Sequence, residues 1–290
     1  MPCHLTRRQI LGAAAGPFFH TVRAADVRRP NFLFLLTDDH SYATLSLTGS
    51  PFMKTPNIDR IAREGALFTN HFVAMSLCAP SRAAFLTGNY GHTNGIYQNQ
   101  IRWDQSLDTL PRTLQAAGYR TAHIGKFHMD SDDRVQPGYD YWAAQINQGS
   151  YVNPRKNVNG QWADLKGYDT EIVTEQAIEF MRGTKRDQPF CTWIGFKACH
   201  APFTPAPGYE TAFADREFKP PASYFADDRG KPDRVRLKAR GDAPAASKTG
   251  KKAKAAGGPL SLEEWAERER NQYRALMGAE VAVGRLLRFL

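Results

Sequence analysis

Asn31-Phe32-Leu33-Phe34-Leu35-Leu36-Thr37, followed at once by Asp38-Asp39, is the stretch that decides the fold. A continuous apolar run of this length, without polar alternation, predicts a parallel strand buried on both faces. The two carboxylates come directly after its end. Outward from this strand the pattern alternates. Thr55-Pro56 opens a helical periodicity with Ile58, Ile61 and Ala62 on one face and Gly65 near its end. Leu67–Ala74 predicts a second strand, Pro80–Thr87 a short helix stopped by Gly88, and Leu110–Ala117 a helix closed by Gly118. Arg120–Ile124 predicts a strand, Asp169–Met181 a helix and Pro189–Phe196 a strand. Such alternation argues an α/β architecture, a sheet sandwiched by helices. Ser261, with Glu264 three residues on, predicts a capping box opening a helix through Tyr273, Met277 and Val281 towards Leu290.

Composition agrees with a globular chain. Of 290 residues, 42% are hydrophobic and 23% charged, which excludes collagen, coiled coil and whole-chain disorder. No apolar run of membrane-spanning length occurs, so no transmembrane segment is expected. The net charge of +9 suggests nucleic acid, but its distribution argues otherwise. Arg7, Arg8 and Arg23 sit in the first 24 residues, and residues 229–254 hold ten Lys or Arg against Asp233 and Asp242. The rest of the chain is slightly acidic, no docking motif is present, and no nucleic-acid partner is expected. Residues 226–258, rich in Lys, Ala and Gly, predict a flexible basic surface insertion. Four cysteines are too few for a disulfide scaffold and lack zinc spacing. Cys191 and Cys199 stand at the ends of mostly extended chain, roughly 25 Å apart, and no bridge is expected between them.

Residues 1–24 combine Arg7-Arg8, a short apolar stretch and a small-residue end at Ala24-Ala25. This predicts a removable export signal. The paired arginines before Gln9-Ile10-Leu11 resemble a twin-arginine signal, with a Sec signal as the alternative. The expected location is therefore periplasmic or secreted.

Leu77-Cys78-Ala79-Pro80-Ser81-Arg82, running on to Leu86-Thr87-Gly88, is the most informative chemistry. It places a thiol at a helix start, where free amides and the dipole favour an anion. Arg82 adds a fork suited to sulfate or phosphate. Asp38 and Asp39, in the turn beyond a strand, offer hard oxygen donors suited to Ca²⁺ or Mg²⁺. Taken singly, each has a plainer reading: a buried cysteine near a helix start, an Asp-Asp surface turn, a solvated lysine.

In combination they resemble the type I, formylglycine-dependent sulfatases of the alkaline phosphatase superfamily. The Cys78 motif resembles that family's signature. Leu36-Thr37-Asp38-Asp39, Thr55-Pro56-Asn57-Ile58-Asp59-Arg60, Gly125-Lys126-Phe127-His128 and His200-Ala201-Pro202-Phe203 follow in family order. The resemblance covers about residues 29–225 and 261–290, and the chain from 25 onward is read as the N-terminal part of the catalytic domain. It implies an alkaline-phosphatase-like fold and hydrolysis of sulfate esters, of a sulfated carbohydrate or an aryl sulfate. It further implies that Cys78 is oxidised to formylglycine by the formylglycine-generating enzyme. Asp38, Asp39 and modified Cys78 would bind Ca²⁺, with Mg²⁺ possible. Arg82 would favour the attacking oxygen, Lys126 would contact sulfate, His128 would take a proton, and His200 would protonate the leaving oxygen. Residues 197–203 and 76–78 look most similar to glucosamine-6-sulfatase-like members. The family completes its metal site on a later strand, so a C-terminally truncated chain with part of its metal shell is expected. The alternatives are a phosphonate or phosphodiester hydrolase of the same superfamily, or an inactive fragment that binds sulfated glycans.

Overall fold

A computed structural model describes residues 29–130, 133–222, 230, 232 and 260–290. The chain divides into the unit Met1–Asn31, of which only 29–31 are described, and the unit Phe32–Leu290. The expected leader at 1–24 lies outside the described residues, as does nearly all of the basic segment 226–258.

The larger unit is built on one six-stranded sheet. Its strands are β1 (Phe32–Leu36), β2 (Arg120–Lys126), β3 (Tyr141–Gln145), β4 (Arg155–Val158), β5 (Gln161–Asp164) and β6 (Phe190–Gly195). Their spatial order is β1-β6-β2-β3-β4-β5. The first four are parallel, with Phe32 opposite Cys191, Thr121 opposite Cys191 on the other side, and Ala122 opposite Tyr141. β4 and β5 close the far edge as an antiparallel ribbon. β1 is the other edge among the described residues, and all five of its residues are only half-buried.

Helices cover both faces, as the alternating pattern predicts. They are α1 (Pro56–Glu64), α2 (Cys78–Thr87), α3 (Gly91–Asn94), α4 (Leu110–Ala116), α5 (Asp169–Arg182) and α6 (Leu262–Phe289). On one face Val173, Ala177 and Phe180 of α5 and Ala282, Val283 and Leu286 of α6 pack on Ala122, Ile124 and Ile194. On the other, Ala79, Ala83 and Leu86 of α2 pack with Phe127, Trp142 and Trp193. Each fully buried aliphatic side chain contributes about 1.5–3 kcal/mol, so these two layers supply most of the apolar driving force. Cys191 and Cys199 are both buried and free, as their spacing predicts.

The structure differs from expectation at several points, and β3, β4 and β5 were not foreseen. α2 begins at Cys78, not Pro80, which puts Pro80 in the first turn, where its missing N–H leaves no intrahelical bond unmade. β2 runs on to Lys126. Leu67–Ala74 is not a strand: the segment has no ladder partner, and Phe68 and Phe72 are 78% and 84% exposed. An apolar sequence favours a strand only where a neighbour takes up its backbone groups.

The Thr55-Pro56-Asn57-Ile58-Asp59 motif is architectural. Thr55 Oγ1 and Ser46 Oγ donate to the two Asp59 carboxylate oxygens, at 2.7 and 2.6 Å. The amides of Asn57 and Ile58, orphaned at the start of α1, donate to the buried Glu280 carboxylate of α6 at 2.6 and 3.1 Å. Gly284 makes this approach possible, because a Cβ there would lie 2.5 Å from the Asn57 side chain.

Candidate active site

Four parallel strands point the same way, so the turns after β1, β2, β3 and β6 share one edge of the sheet. Ligand sites of open α/β sheets lie at this carboxyl edge. Asp38 and Asp39 follow β1, Lys126 ends β2 with His128 beyond it, Gln148 follows β3, and Lys197 and His200 follow β6. α2 presents Cys78 at its first residue and Arg82 one turn further on.

The centre is a buried charge cluster. Asp38, 5% exposed, accepts from the ammonium of Lys126, which is wholly buried. Its other oxygen lies 3.6 Å from Arg82 Nη2. Arg82 Nη1 also donates to the Lys126 carbonyl at 2.6 Å, which ties α2 to the end of β2. Burial pushes the Asp38 carboxyl up, but Lys126 and Arg82 outweigh it and hold it below the usual range. Lys126 Nζ lies 3.7 Å from Cys78 Sγ and also donates to Gln148 Oε1. Gly125 shapes this corner: its φ is +99°, and a Cβ would stand 2.1 Å from the Gly195 carbonyl oxygen.

Asp38, Cys78 and His200 each offer a ligand atom, all within 4.8 Å of one another. Asp39, at a φ of 53°, is more exposed and faces His200, with Oδ2 at 3.6 Å from Nε2. The Ala201 carbonyl can only accept, so His200 Nδ1, 2.5 Å away, carries the proton and leaves Nε2 towards the carboxylates. The Tyr151 hydroxyl fixes this turn by donating to the His200 carbonyl at 2.7 Å. The donors are of mixed hardness. The carboxylates suit a hard divalent cation, the thiol does not, and an oxygen at residue 78 would.

The Cys78 thiol is half-buried, and that burial raises its pKa despite Lys126 and Arg82. It therefore stays protonated at neutral pH and is poorly suited to act as a thiolate. His128 is buried, and burial together with the Lys126 and Arg82 charges lowers its pKa to about 4, so its imidazole is neutral at pH 7. Gln148 stands beside it, amide nitrogen to Nε2, at 3.4 Å. A cleft of ≈ 770 Å³ opens above the cluster, lined by Asp38, Asp39, Cys78, Arg82, Gln148 and His200. His40, Tyr42, Leu77 and Asn99 also line it.

The candidate site residues named from sequence thus share one edge of the sheet, and of these only Lys126 and His128 are not among the cleft-lining residues. Sequence reasoning missed Gln148, Lys197 and Asn99. Lys197 donates to the Gln148 carbonyl at 2.9 Å, and Asn99 Oδ1 accepts from the Ala79 amide at 3.0 Å. Lys197 was within reach, since it follows β6 by two residues at the informative edge. Gln148 and Asn99 are neutral loop residues with no motif around them.

Residues 30–281 match the sulfatase family model. The chain belongs to the sulfatase family. A relative named N-acetylglucosamine-6-O-sulfatase, from Bacteroides thetaiotaomicron, is 39% identical over 209 residues, 71% of this chain and 37% of its own length. The solved structure of BT4656 with its substrate D-glucosamine-2-N,6-O-disulfate is similar at a TM-score of 0.78 and 31% identity, covering 90% of this chain and 62% of that one. The phosphonate monoester hydrolase of Agrobacterium radiobacter shares the fold, at a TM-score of 0.62 and 19% identity over 90% of this chain and 59% of its own. This sulfatase chain therefore spans less than two thirds of the length of these proteins. Among its described residues no helix is long and apolar enough to cross a membrane.

Proposed function

We propose that this chain carries the sulfate-binding core of a carbohydrate sulfatase, acting on a 6-O-sulfated amino sugar. The observation that carries the reading is the buried Asp38–Lys126–Arg82 cluster directly beneath Cys78, at the floor of an open cleft. The two cations outnumber the one carboxylate they hold, so this cluster is net positive before Asp39 at the cleft wall is counted. The names of the relative and of the bound substrate in the similar structure support the amino-sugar class.

In this reading Cys78 is the precursor of formylglycine, made by the formylglycine-generating enzyme, and its protonated thiol is consistent with a side chain that does not itself attack. The aldehyde, once hydrated, supplies an oxygen nucleophile. Asp38 and Asp39, with that oxygen, would hold Ca²⁺ or Mg²⁺, which supplies positive charge beside it. The protein's own groups do the rest. Lys126 and Arg82 orient the sulfate. His200, when both ring nitrogens are protonated, would deliver the Nε2 proton to the leaving alcohol, while the Ala201 carbonyl keeps Nδ1–H in place. His128, kept neutral by burial, accepts a proton at a ring nitrogen. The leader at 1–24 would direct export to the periplasm or beyond.

The test is coupled expression with the formylglycine-generating enzyme, followed by the mass of the Cys78 peptide and paired assays on an aryl sulfate and an aryl phosphonate ester. Conversion with preferential sulfate ester cleavage is expected. Preference for the phosphonate ester would assign the phosphoryl branch of the superfamily. Conversion without any turnover, but with retained binding of a sulfated glycan, would leave only the binding role.

A further inference from the structure

Gln148 is a residue at this site that no motif announces. It follows β3 in a turn whose main chain is pinned: its carbonyl accepts from Lys197 Nζ at 2.9 Å and from Gln145 Nε2 at 3.4 Å. Its side chain lines the cleft and reaches two of the groups the mechanism uses. One end meets the Lys126 ammonium and the other lies 3.4 Å from His128 Nε2.

An ammonium has only donors, so the end facing Lys126 is the amide oxygen. That fixes the amide's orientation and turns its NH₂ towards His128. A donor there requires an acceptor opposite, and a neutral imidazole has one nitrogen of each kind. We propose that Gln148 is a positioning residue that locks Lys126 against the cluster and holds His128 as the Nδ1–H tautomer, with the Nε2 lone pair accepting from the Gln148 amide. Nε2 is then the ring atom without a proton, able to take one from a reacting hydroxyl that replaces the long Gln148 contact, whereas the opposite tautomer would present an N–H and could not. The tautomer assignment stands on this geometry alone; its kinetic consequence rests on the sulfatase reading. A glutamine suits the task because it bridges a cation and a base without a charge of its own. A glutamate here would accept from both neighbours, turn the His128 Nε2 into a donor and cancel part of the charge that Lys126 offers to sulfate.

The experiment is ¹⁵N NMR of the histidine rings in the full chain, with His128 assigned among the eight histidines by its loss in His128→Gln. The wild type is expected to show the Nδ1–H tautomer at neutral pH, and Gln148→Glu the Nε2–H tautomer. Gln148→Leu, which removes both contacts at similar size, is expected to show a mixture. Unchanged signals from the other seven rings establish that each variant is folded. On converted protein, both variants are expected to lose on the order of 10² in kcat for an aryl sulfate, the cost of misplacing a catalytic group, with KM changed by less than about threefold. The same His128 tautomer in wild type and Gln148→Glu, or an Nε2–H wild type, would overturn the proposal. A wild type without turnover would count against the sulfatase reading and leave the tautomer result standing.

Discussion

Asp38→Asn is the sharpest perturbation the structure offers. The substitution keeps the shape of the side chain and removes its charge. Lys126, wholly buried, and Arg82, 3% exposed, would then face each other without the carboxylate that separates them. Removing one partner of a buried ion pair costs about 3–5 kcal/mol, because an uncompensated charge remains. Here two cations lose the same partner, so the upper half of that range is expected. At about 2–4 °C per kcal/mol for a domain of this size, the melting midpoint should fall by roughly 8–20 °C at neutral pH. The pH dependence adds a second signature. The folded-state pKa of Asp38 lies below the unfolded value, so its stabilisation is present above about 3.8 and fades as pH falls through the lower, folded value. The gap between variant and wild type should therefore be full at pH 5–7 and narrow only in strong acid. Because the cluster is buried, added salt should change the gap little. Differential scanning fluorimetry across pH and salt measures all three. A variant melting within about 2 °C of wild type at pH 7, the size of an ordinary surface change, would refute the claim that this carboxylate holds the site together.

Two further outcomes are expected. His123, on β2, is 1% exposed among Phe127, Tyr139 and Trp142, and burial lowers its pKa to about 3. Since the folded value lies below the unfolded one, the neutral ring stabilises the fold above about pH 6.5, and up to about 5 kcal/mol is lost as pH falls towards 3. His123→Phe should flatten the fall of the melting midpoint between pH 7 and 4, and curves that run parallel to wild type would contradict this account. Glu280→Ala strands the amides of Asn57 and Ile58 at the start of α1 and should cost about 1–3 kcal/mol in urea unfolding; Glu280→Gln, which keeps one acceptor, should recover part of the loss.

What was legible in the sequence follows from what each signal depends on. The apolar run ending in Asp38-Asp39 marked a parallel strand and a site together, because ligand sites lie at the carboxyl ends of such strands, although β1 is a half-buried edge among the described residues and not buried on both faces as its apolar run predicts. The capping box at Ser261 and Glu264 is present as expected, a contact contained within four residues. The failure at Leu67–Ala74 has the opposite cause. A strand exists only in a ladder, and no sequence window contains its partner. β3, β4 and β5 escaped notice because they are short, and Arg155–Val158 carries Lys156, whose ammonium is buried against Asp169 at 2.7 Å. A lysine inside a strand reads as solvent-facing until its counter-charge, thirteen residues on in the chain, is placed beside it.

The site itself shows the same division. Cys78, Lys126, His128 and His200 were visible because each falls in a short run that resembles a sulfatase motif. Their assembly could be expected from topology: β1, β6 and β2 are adjacent and parallel, so turns far apart in sequence must meet at one edge. The charge balance at that edge could not be read in the same way. Lys126 and Asp38 are 88 positions apart, and only their shared burial turns a solvated lysine and a surface carboxylate into a pair whose charges must be settled together. Gln148 is the extreme case. Any uncharged loop residue is compatible with the sequence pattern there, and its identity matters only because an ammonium lies at one end of its amide and an imidazole at the other. Residues that carry charge or attack announce themselves by type. Those that decide which way a proton points are defined by their neighbours, and become visible only once the neighbours are in place.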